Sequence, residues 1–167
     1  MDRSDCLSEL IIKHNCQKII EIGMGKGRTC KRILSNPDVN KIIIEYWGIE
    51  ISSVKYANVI KYMCFFPQLK ILNLSSAHAA QIFTNLATTY FPDGFFDLVF
   101  IDANHKYEFA KQDILIWEPL LKRGGILTGH DYYGGSDARY PGVKQAIDEI
   151  IGSENIDLLP DVMWVRK

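Results

Sequence analysis

Residues 19–29 read Ile19-Ile20-Glu21-Ile22-Gly23-Met24-Gly25-Lys26-Gly27-Arg28-Thr29, an apolar run with one acid that breaks into three glycines at alternate positions. Glycine carries no Cβ and tolerates positive φ, so a turn of this kind lets backbone N–H groups approach a ligand closely. The dinucleotide fingerprint places its third glycine one residue later, where this chain has Arg28. The spacing is therefore acid-x-Gly-x-Gly-x-Gly, which argues for a nucleotide-like cofactor other than a nicotinamide. An unpaired carboxylate inside an apolar strand is costly. Glu21 should accordingly face the ligand or accept N–H groups of the glycine turn. Glu50 follows about thirty residues on, where an α/β nucleotide site holds the acid that accepts from ribose hydroxyls. Alone it reads equally as a solvated strand-end carboxylate; beside the glycine turn it reads as a ribose acceptor.

A second set of chemically capable residues lies further along. Asp102 closes an apolar run and is followed by Ala103-Asn104-His105; Asp131 follows His130. The two aspartates are expected at neighbouring strand ends, where their oxygens suit a hard cation such as Mg²⁺. The competing reading is a metal-free polar pocket in which Asp131 orients a base. His105 and His130 are both candidate general bases, because an unperturbed imidazole titrates near neutral pH. Tyr132, Tyr133, Arg139 and Tyr140 belong to a Gly- and Tyr-rich stretch, residues 131–141. They suit either a lid over an acceptor or a contact with the partner subunit of a homodimer.

The elements that must position these residues alternate between strand and helix. Strands are expected at 18–22, within 42–50, at 69–72, 96–101, 126–128 and 163–165. Helices are expected from a cap at Ser4 or Asp5, then at 28–34, 53–62, 77–87, 107–121 and 143–151. Asn36-Pro37-Asp38 reads as a stop, and Lys122-Arg123-Gly124-Gly125 as a helix C-terminus. The near-continuous apolar run Phe96-Asp97-Leu98-Val99-Phe100-Ile101 suits a central parallel strand covered on both faces. This alternation points to a doubly wound α/β sheet, which binds ligands beyond the carboxyl ends of its strands. Glu21 with the glycines, Glu50, Ser75 with Ser76, Asp102 to His105, and His130 with Asp131 all fall at such ends. Five coincidences in register carry more weight than any one motif.

The chain has 167 residues, 47% hydrophobic and 23% charged, enough for one domain spanning 1–167 with its own core. A formal net charge of -1 gives no global reason to bind nucleic acid or an anionic membrane. Cys6, Cys16, Cys30 and Cys64 show no C-x-x-C spacing and read as free thiols of a reducing cytoplasm. The opening Met1-Asp2-Arg3-Ser4-Asp5 is too acidic and polar for a signal peptide, and no apolar run approaches a membrane span.

The ordered motifs resemble the class I S-adenosylmethionine-dependent methyltransferases, specifically the methyltransferase 24 type of small-molecule enzymes. They are Ile20 to Gly27, then Phe96 to Tyr107, Asp113-Ile114-Leu115-Ile116-Trp117-Glu118-Pro119-Leu120-Leu121, Gly124 to Tyr132, and Pro141 to Glu149. Together they cover residues 19 to about 151. The resemblance implies a Rossmann-like seven-stranded sheet, mostly parallel with a reversed last strand. It implies cofactor binding by Glu21, Gly23, Met24, Gly25 and Gly27 at the methionine end, Glu50 at the ribose, and Ser75, Ser76 and Ala77 beside the adenine. Asp102 also falls in the cofactor set. In related O-methyltransferases acids after the fourth and fifth strands bind a divalent metal. Asp102 and Asp131 match two such positions, while His130 stands where an acid often does and Asn104 replaces an acid that serves some relatives as base. The activity implied is O-methylation of a hydroxylated small molecule, a sugar among the candidates. The alternatives are a nicotinamide-dependent oxidoreductase and a non-catalytic cofactor-binding module. A nucleic-acid amino-methyltransferase would carry an Asn/Asp-Pro-Pro-aromatic turn after the fourth strand, which Asp102-Ala103-Asn104-His105 is not.

Overall fold

Strand β4, Phe96–Ile101, is buried at nearly every position and lies near the middle of the sheet. A computed structural model describes residues 1–133 and 141–167. The sheet has seven strands in the order β3-β2-β1-β4-β5-β7-β6. These are β1 Lys18–Ile22, β2 Glu45–Ile49, β3 Leu69–Leu72, β4, β5 Leu121–Gly129, β6 Ile156–Leu159 and β7 Met163–Arg166. The first five run parallel; β7 pairs antiparallel with both β5 and β6. The order turns outward on either side of the β1–β4 pair, which is the switch point where such sheets bind ligands.

Side chains alternate along each strand, so two cores form, one on each face. Ile20, Ile22, Val99, Ile101 and Leu127 pack against α5 Ser76–Tyr90, α6 Tyr107–Trp117 and α7 Pro141–Ile150. Ile19, Tyr46, Leu98 and Phe100 face α1 Arg3–His14, α2 Arg28–Ser35, the short α3 Pro37–Asn40 and α4 Ser53–Val59. Among the described residues no helix is long and apolar enough to cross a membrane.

Several local expectations are corrected. Asp2, rather than Ser4 or Asp5, caps α1: its carboxylate accepts from the N–H groups of Ser4 and Asp5, while Asp5 accepts from that of Asp2. An acid at both ends of this reciprocal box outcompetes a lone serine. Asn36 stops α2 and also caps α3. Lys122 to Gly125 do not end a helix. Helix α6 stops at Trp117, two residues before Pro119, and a 3₁₀ turn leads into β5. Opposite β4 the register jumps from Phe96↔Leu121 to Leu98↔Ile126, so residues 122–125 form a bulge, with Gly124 at φ 76. The seventh strand that the resemblance implies is β6, which has no local sequence signal: it is short, and two of its four side chains are exposed.

Candidate active site

The glycine turn leaves β1 at the switch point. A Cβ on Gly23, at φ +93, would lie 2.2 Å from the Asp102 carbonyl oxygen, so only glycine lets the turn pass the segment after β4. Gly25 differs: a Cβ there would meet nothing within 4 Å, because the residue borders open space. Met24 fills the room that Gly48 leaves on β2, and Gly27 is the N-cap of α2. Above the turn is a cavity of about 1160 Å³. It reaches from Glu21 and the turn, past Glu50, to Ser75, Ser76 and Ala77, and is closed by Asp102, His105 and α6.

Glu50, only 4% exposed, shapes the turn. Its Oε2 accepts from the Gly25 N–H and its Oε1 from the Ser52 N–H, each at 2.8 Å. Asn73 Nδ2 donates to its carbonyl at 2.6 Å. Each carboxylate oxygen keeps a further lone pair for a ligand hydroxyl. Glu21 is 1% exposed and borders the cavity, as expected, but its partner is Tyr46, whose hydroxyl donates to Oε2 at 2.8 Å. The glycine-turn N–H that sequence reasoning offered to Glu21 goes to Glu50 instead. Burial pushes the Glu21 carboxyl up to about 8, against the opposing pull of the Tyr46 hydroxyl. A cation brought beside it would favour the carboxylate again.

Ser75 and Ser76 both border the cavity, yet their hydroxyls have work within the fold. Ser75 caps α5, and Ser76 Oγ donates to Asp113 Oδ1 while accepting from Trp117 Nε1 at 2.8 Å. Asp113, buried on the inner face of α6, is pushed up to about 6 by desolvation, with the Ser76 hydroxyl opposing. This acid and its neighbour Gln112 line the same end of the cavity and were given no role from sequence. A signal existed: Ala110, Asp113, Ile114 and Trp117 share one helical face, and an acid among apolar residues at that spacing needs a reason.

At the ends of β4 and β5 the expected approach of the two aspartates is made through His105. His105 Nε2 lies 2.7 Å from Asp131 Oδ2 and 3.6 Å from Asp102 Oδ1. Hydrogen bonds to Asp102 and Asp131 raise the imidazole to about 9 against the desolvation that lowers it. For Asp131 desolvation acts upward, but His105 and His130 outweigh it and hold the carboxyl well below its usual range. Asp131 has φ 63, a left-handed turn that its short polar side chain tolerates. His130 is 7% exposed and stands behind Asp131, outside the lining of the large cavity. Its nitrogens face Asp131 at 3.0 Å and Asp161 at 3.6 Å, without well-aligned hydrogen bonds. Of the two histidines, the geometry therefore favours His105 as the group an acceptor could reach. Asn104 Oδ1 accepts from the Lys106 N–H. Tyr132 is buried, its hydroxyl donating to Asp148 at 2.6 Å, whereas Tyr133 is exposed. Arg139 and Tyr140 lie outside the described residues.

Two further residues complete this corner. Arg3 Nη1 is ion-paired with Asp102 Oδ2, and the Arg3 N–H donates to Asp161 Oδ2 at 3.0 Å. Neither residue carried a sequence signal, since one opens the first helix and the other sits in the hairpin between β6 and β7. Asp102, His105 and Asp131 bring ligand atoms within 4.8 Å of one another. As a Mg²⁺ site the set fits poorly. It offers two carboxylates and an imidazole where Mg²⁺ prefers oxygen, and Arg3 already compensates Asp102.

A doubly wound sheet with an alternate-glycine turn after β1 and an acid after β2 fits a class I methyltransferase domain. Residues 20–132 match the methyltransferase domain family, and the chain belongs to it. No curated protein matches the chain significantly. Among solved structures, a putative caffeoyl-CoA O-methyltransferase from Staphylococcus aureus is similar over 100% of this chain and 85% of its own, at 19% identity and a TM-score of 0.74. An O-methyltransferase from Bacillus cereus, in complex with S-adenosylhomocysteine, is similar over 99% of this chain and 80% of its own, at 14% identity and a TM-score of 0.68. The O-methyltransferase TomG from Streptomyces achromogenes, in complex with S-adenosylmethionine, is similar over 98% and 78%, at 14% identity and a TM-score of 0.69. At these identities the likeness is one of fold. The family membership sets the methyltransferase reading above the nicotinamide one.

Proposed function

We propose that this methyltransferase moves the methyl group of S-adenosylmethionine to a hydroxyl oxygen of a small molecule, with His105 as general base. The observation that carries the reading is one cavity bounded by the Gly25 turn and Glu50 at one side and by His105 at the other. The two solved neighbours with bound donor or product support the choice of cofactor. When bound, S-adenosylmethionine supplies an electrophilic methyl group on a positively charged sulfur.

The chain's own residues have three tasks. Glu50 and the glycine turn fix the ribose, and with it the direction of the methyl. Ser75, Ser76, Gln112 and Asp113 enclose the adenine end. At the far end, His105 takes the hydroxyl proton of the acceptor as its oxygen bonds to the methyl carbon and the carbon–sulfur bond breaks. Asp131 and Asp102 hold the imidazole and stabilise its protonated form, as the carboxylate does in a catalytic triad. Alignment of oxygen and methyl within one cavity supplies much of the rate, since reacting groups held in line gain a large effective concentration. The acceptor is a hydroxylated small molecule, sugars included. The free thiols of all four cysteines suit a reducing cytoplasm.

The test is turnover of S-adenosylmethionine over a panel of sugars, catechols and other hydroxylated acceptors, reading S-adenosylhomocysteine and the methylated product. Acceptor-dependent product supports the reading. Binding of NAD in calorimetry, with no response to S-adenosylmethionine or S-adenosylhomocysteine, would overturn it.

A further inference from the structure

Among the described residues, five Lys and Arg side chains border the large cavity: Arg3, Lys26, Arg28, Arg32 and Lys55. They are not equivalent. Arg32 is tied to Asp2 and Asp5 on the first turn of α1. Arg3 pairs with Asp102 at the end of β4, and its charge acts on Glu21 as well. It therefore stands where the glycine turn and the end of β4 meet, the corner at which the proposed cofactor places its amino-acid end.

The way Arg3 is held bears on its role. Its backbone N–H donates to Asp161 Oδ2 at 3.0 Å, and its Nε lies 3.6 Å from the same oxygen. The turn that carries Asp161 is itself anchored, through the Pro160 carbonyl to Cys6 Sγ and the Val162 carbonyl to the Tyr132 N–H. The guanidinium thus lies between Asp161, beside its Nε, and Asp102, at its Nη1, and Arg3 borders the cavity. A guanidinium fork held in this way matches a carboxylate with two parallel hydrogen bonds. Asp102 beside it is an acceptor for an ammonium group. An α-amino acid needs this pair of opposite groups, and without it the two compensate each other.

We propose that Arg3 is the specificity residue for the α-carboxylate of the methionine moiety, with Asp102 receiving the ammonium, so that the first turn of α1 reads the amino-acid end of the donor. The proposal rests on the S-adenosylmethionine reading above. It gives a residue outside the family-matched segment, which begins at residue 20, a direct part in cofactor selection.

Calorimetry on the full chain tests it with three ligands: S-adenosylmethionine, its decarboxylated form, and 5′-methylthioadenosine, which lacks the amino-acid chain. Wild type should prefer S-adenosylmethionine to the decarboxylated form. Arg3→Gln should weaken S-adenosylmethionine by about tenfold or more, the range for hydrogen bonds to a charged group. The other two ligands should change by less than about twofold, a difference small against that range, and their retained binding shows that the variant is folded. Arg3→Lys, which keeps the charge but not the fork, should fall between. Equal weakening of all three ligands, or no weakening of S-adenosylmethionine, would overturn the role of Arg3. A wild-type protein that bound none of the three would overturn the cofactor reading as well.

Discussion

The two sides of the cavity are built from different materials. On the glycine-turn side, Glu50 is held by backbone N–H groups of Gly25 and Ser52, and Gly23 packs against the backbone of Asp102. On the side of β4 and β5 the contacts are chiefly ion pairs between side chains. Asp102, Arg3, Asp161, His130, Asp131 and His105 follow one another in a closed ring, each within ion-pair distance of the next. Backbone donors have one geometry and no titration; side chains rotate, exchange partners and change charge. The first side is suited to holding one invariant ligand. The second can re-form around a cationic sulfonium and an acceptor, and a proton can leave it. Leaving His130 aside, three carboxylates there face two cations, Arg3 and a protonated His105, so the ring favours incoming positive charge.

Removing a group from each side should produce different kinetic signatures. The largest effect is expected for His105→Ala: kcat falls by about 10²- to 10⁴-fold, the usual range for a general base, while S-adenosylmethionine affinity in calorimetry stays close to wild type. A loss seen only in cofactor binding would place His105 on the wrong side of the comparison. Next is Glu50→Gln, which turns one acceptor oxygen into an amide facing a backbone N–H. The affinity for S-adenosylmethionine should fall by about tenfold to a hundredfold, as for a lost hydrogen bond to a charged group. At saturating cofactor kcat should recover. If it did not, the glycine turn would also be part of the chemistry.

The same contrast explains what could be read from the amino-acid order. The glycine turn, β1, β3 and β4 were legible because their signals are local: an apolar run, a break and an acid at fixed spacing. The places of Glu50 after β2, and of Asp102 to His105 and His130-Asp131 after β4 and β5, were legible for the same reason. Which groups pair was not legible. Glu21 takes Tyr46, from the neighbouring strand, and the Gly25 N–H goes to Glu50. Arg3 and Asp161 reach the site only because α1 and the β6–β7 hairpin fold over the same corner, bringing partners 99 and 158 residues apart into contact. The bulge at 122–125 was misread because cations and glycines suit a helix end as well as a bulge, and the choice lies in how β4 and β5 pair.

A smaller effect concerns the proton on the side-chain half. His105 is raised to about 9 chiefly by Asp102 and then Asp131. A base must be unprotonated, so kcat/KM should climb as pH rises and level off only near pH 9, above the ordinary imidazole range. Asp131→Asn removes one of the two carboxylates that favour the imidazolium, so the rising limb should move to lower pH. In the cofactor complex the nearby positive sulfur also opposes protonation, and the kcat limb should lie below that of kcat/KM. A limb that stayed in place in Asp131→Asn would remove Asp131 from the proton's surroundings.

The smallest expected effect is that of chelation, and it bears most directly on what the ring is for. Asp102, His105 and Asp131 are close enough to share a cation, and the two aspartates read in sequence either as a Mg²⁺ pair or as part of a metal-free polar pocket. A resident Mg²⁺ would have to displace Arg3 from Asp102 and His105 from Asp131, giving up two charge-assisted contacts in the process. The ring already supplies the positive charge that a metal would bring, in the form of a guanidinium and an imidazolium. Turnover measured after exhaustive treatment with EDTA should therefore match that of untreated protein, with no gain on adding Mg²⁺ or Mn²⁺. A tenfold or greater loss, restored by either ion, would reassign Asp102 and Asp131 to a metal and make the ring its ligand-free arrangement. Arg3→Gln gives the same question a second handle. If the ring operates through its own charges, chelation should leave this variant's turnover unchanged as well; if a metal is needed, freeing Asp102 from its guanidinium should tighten that metal and raise the EDTA needed to remove it.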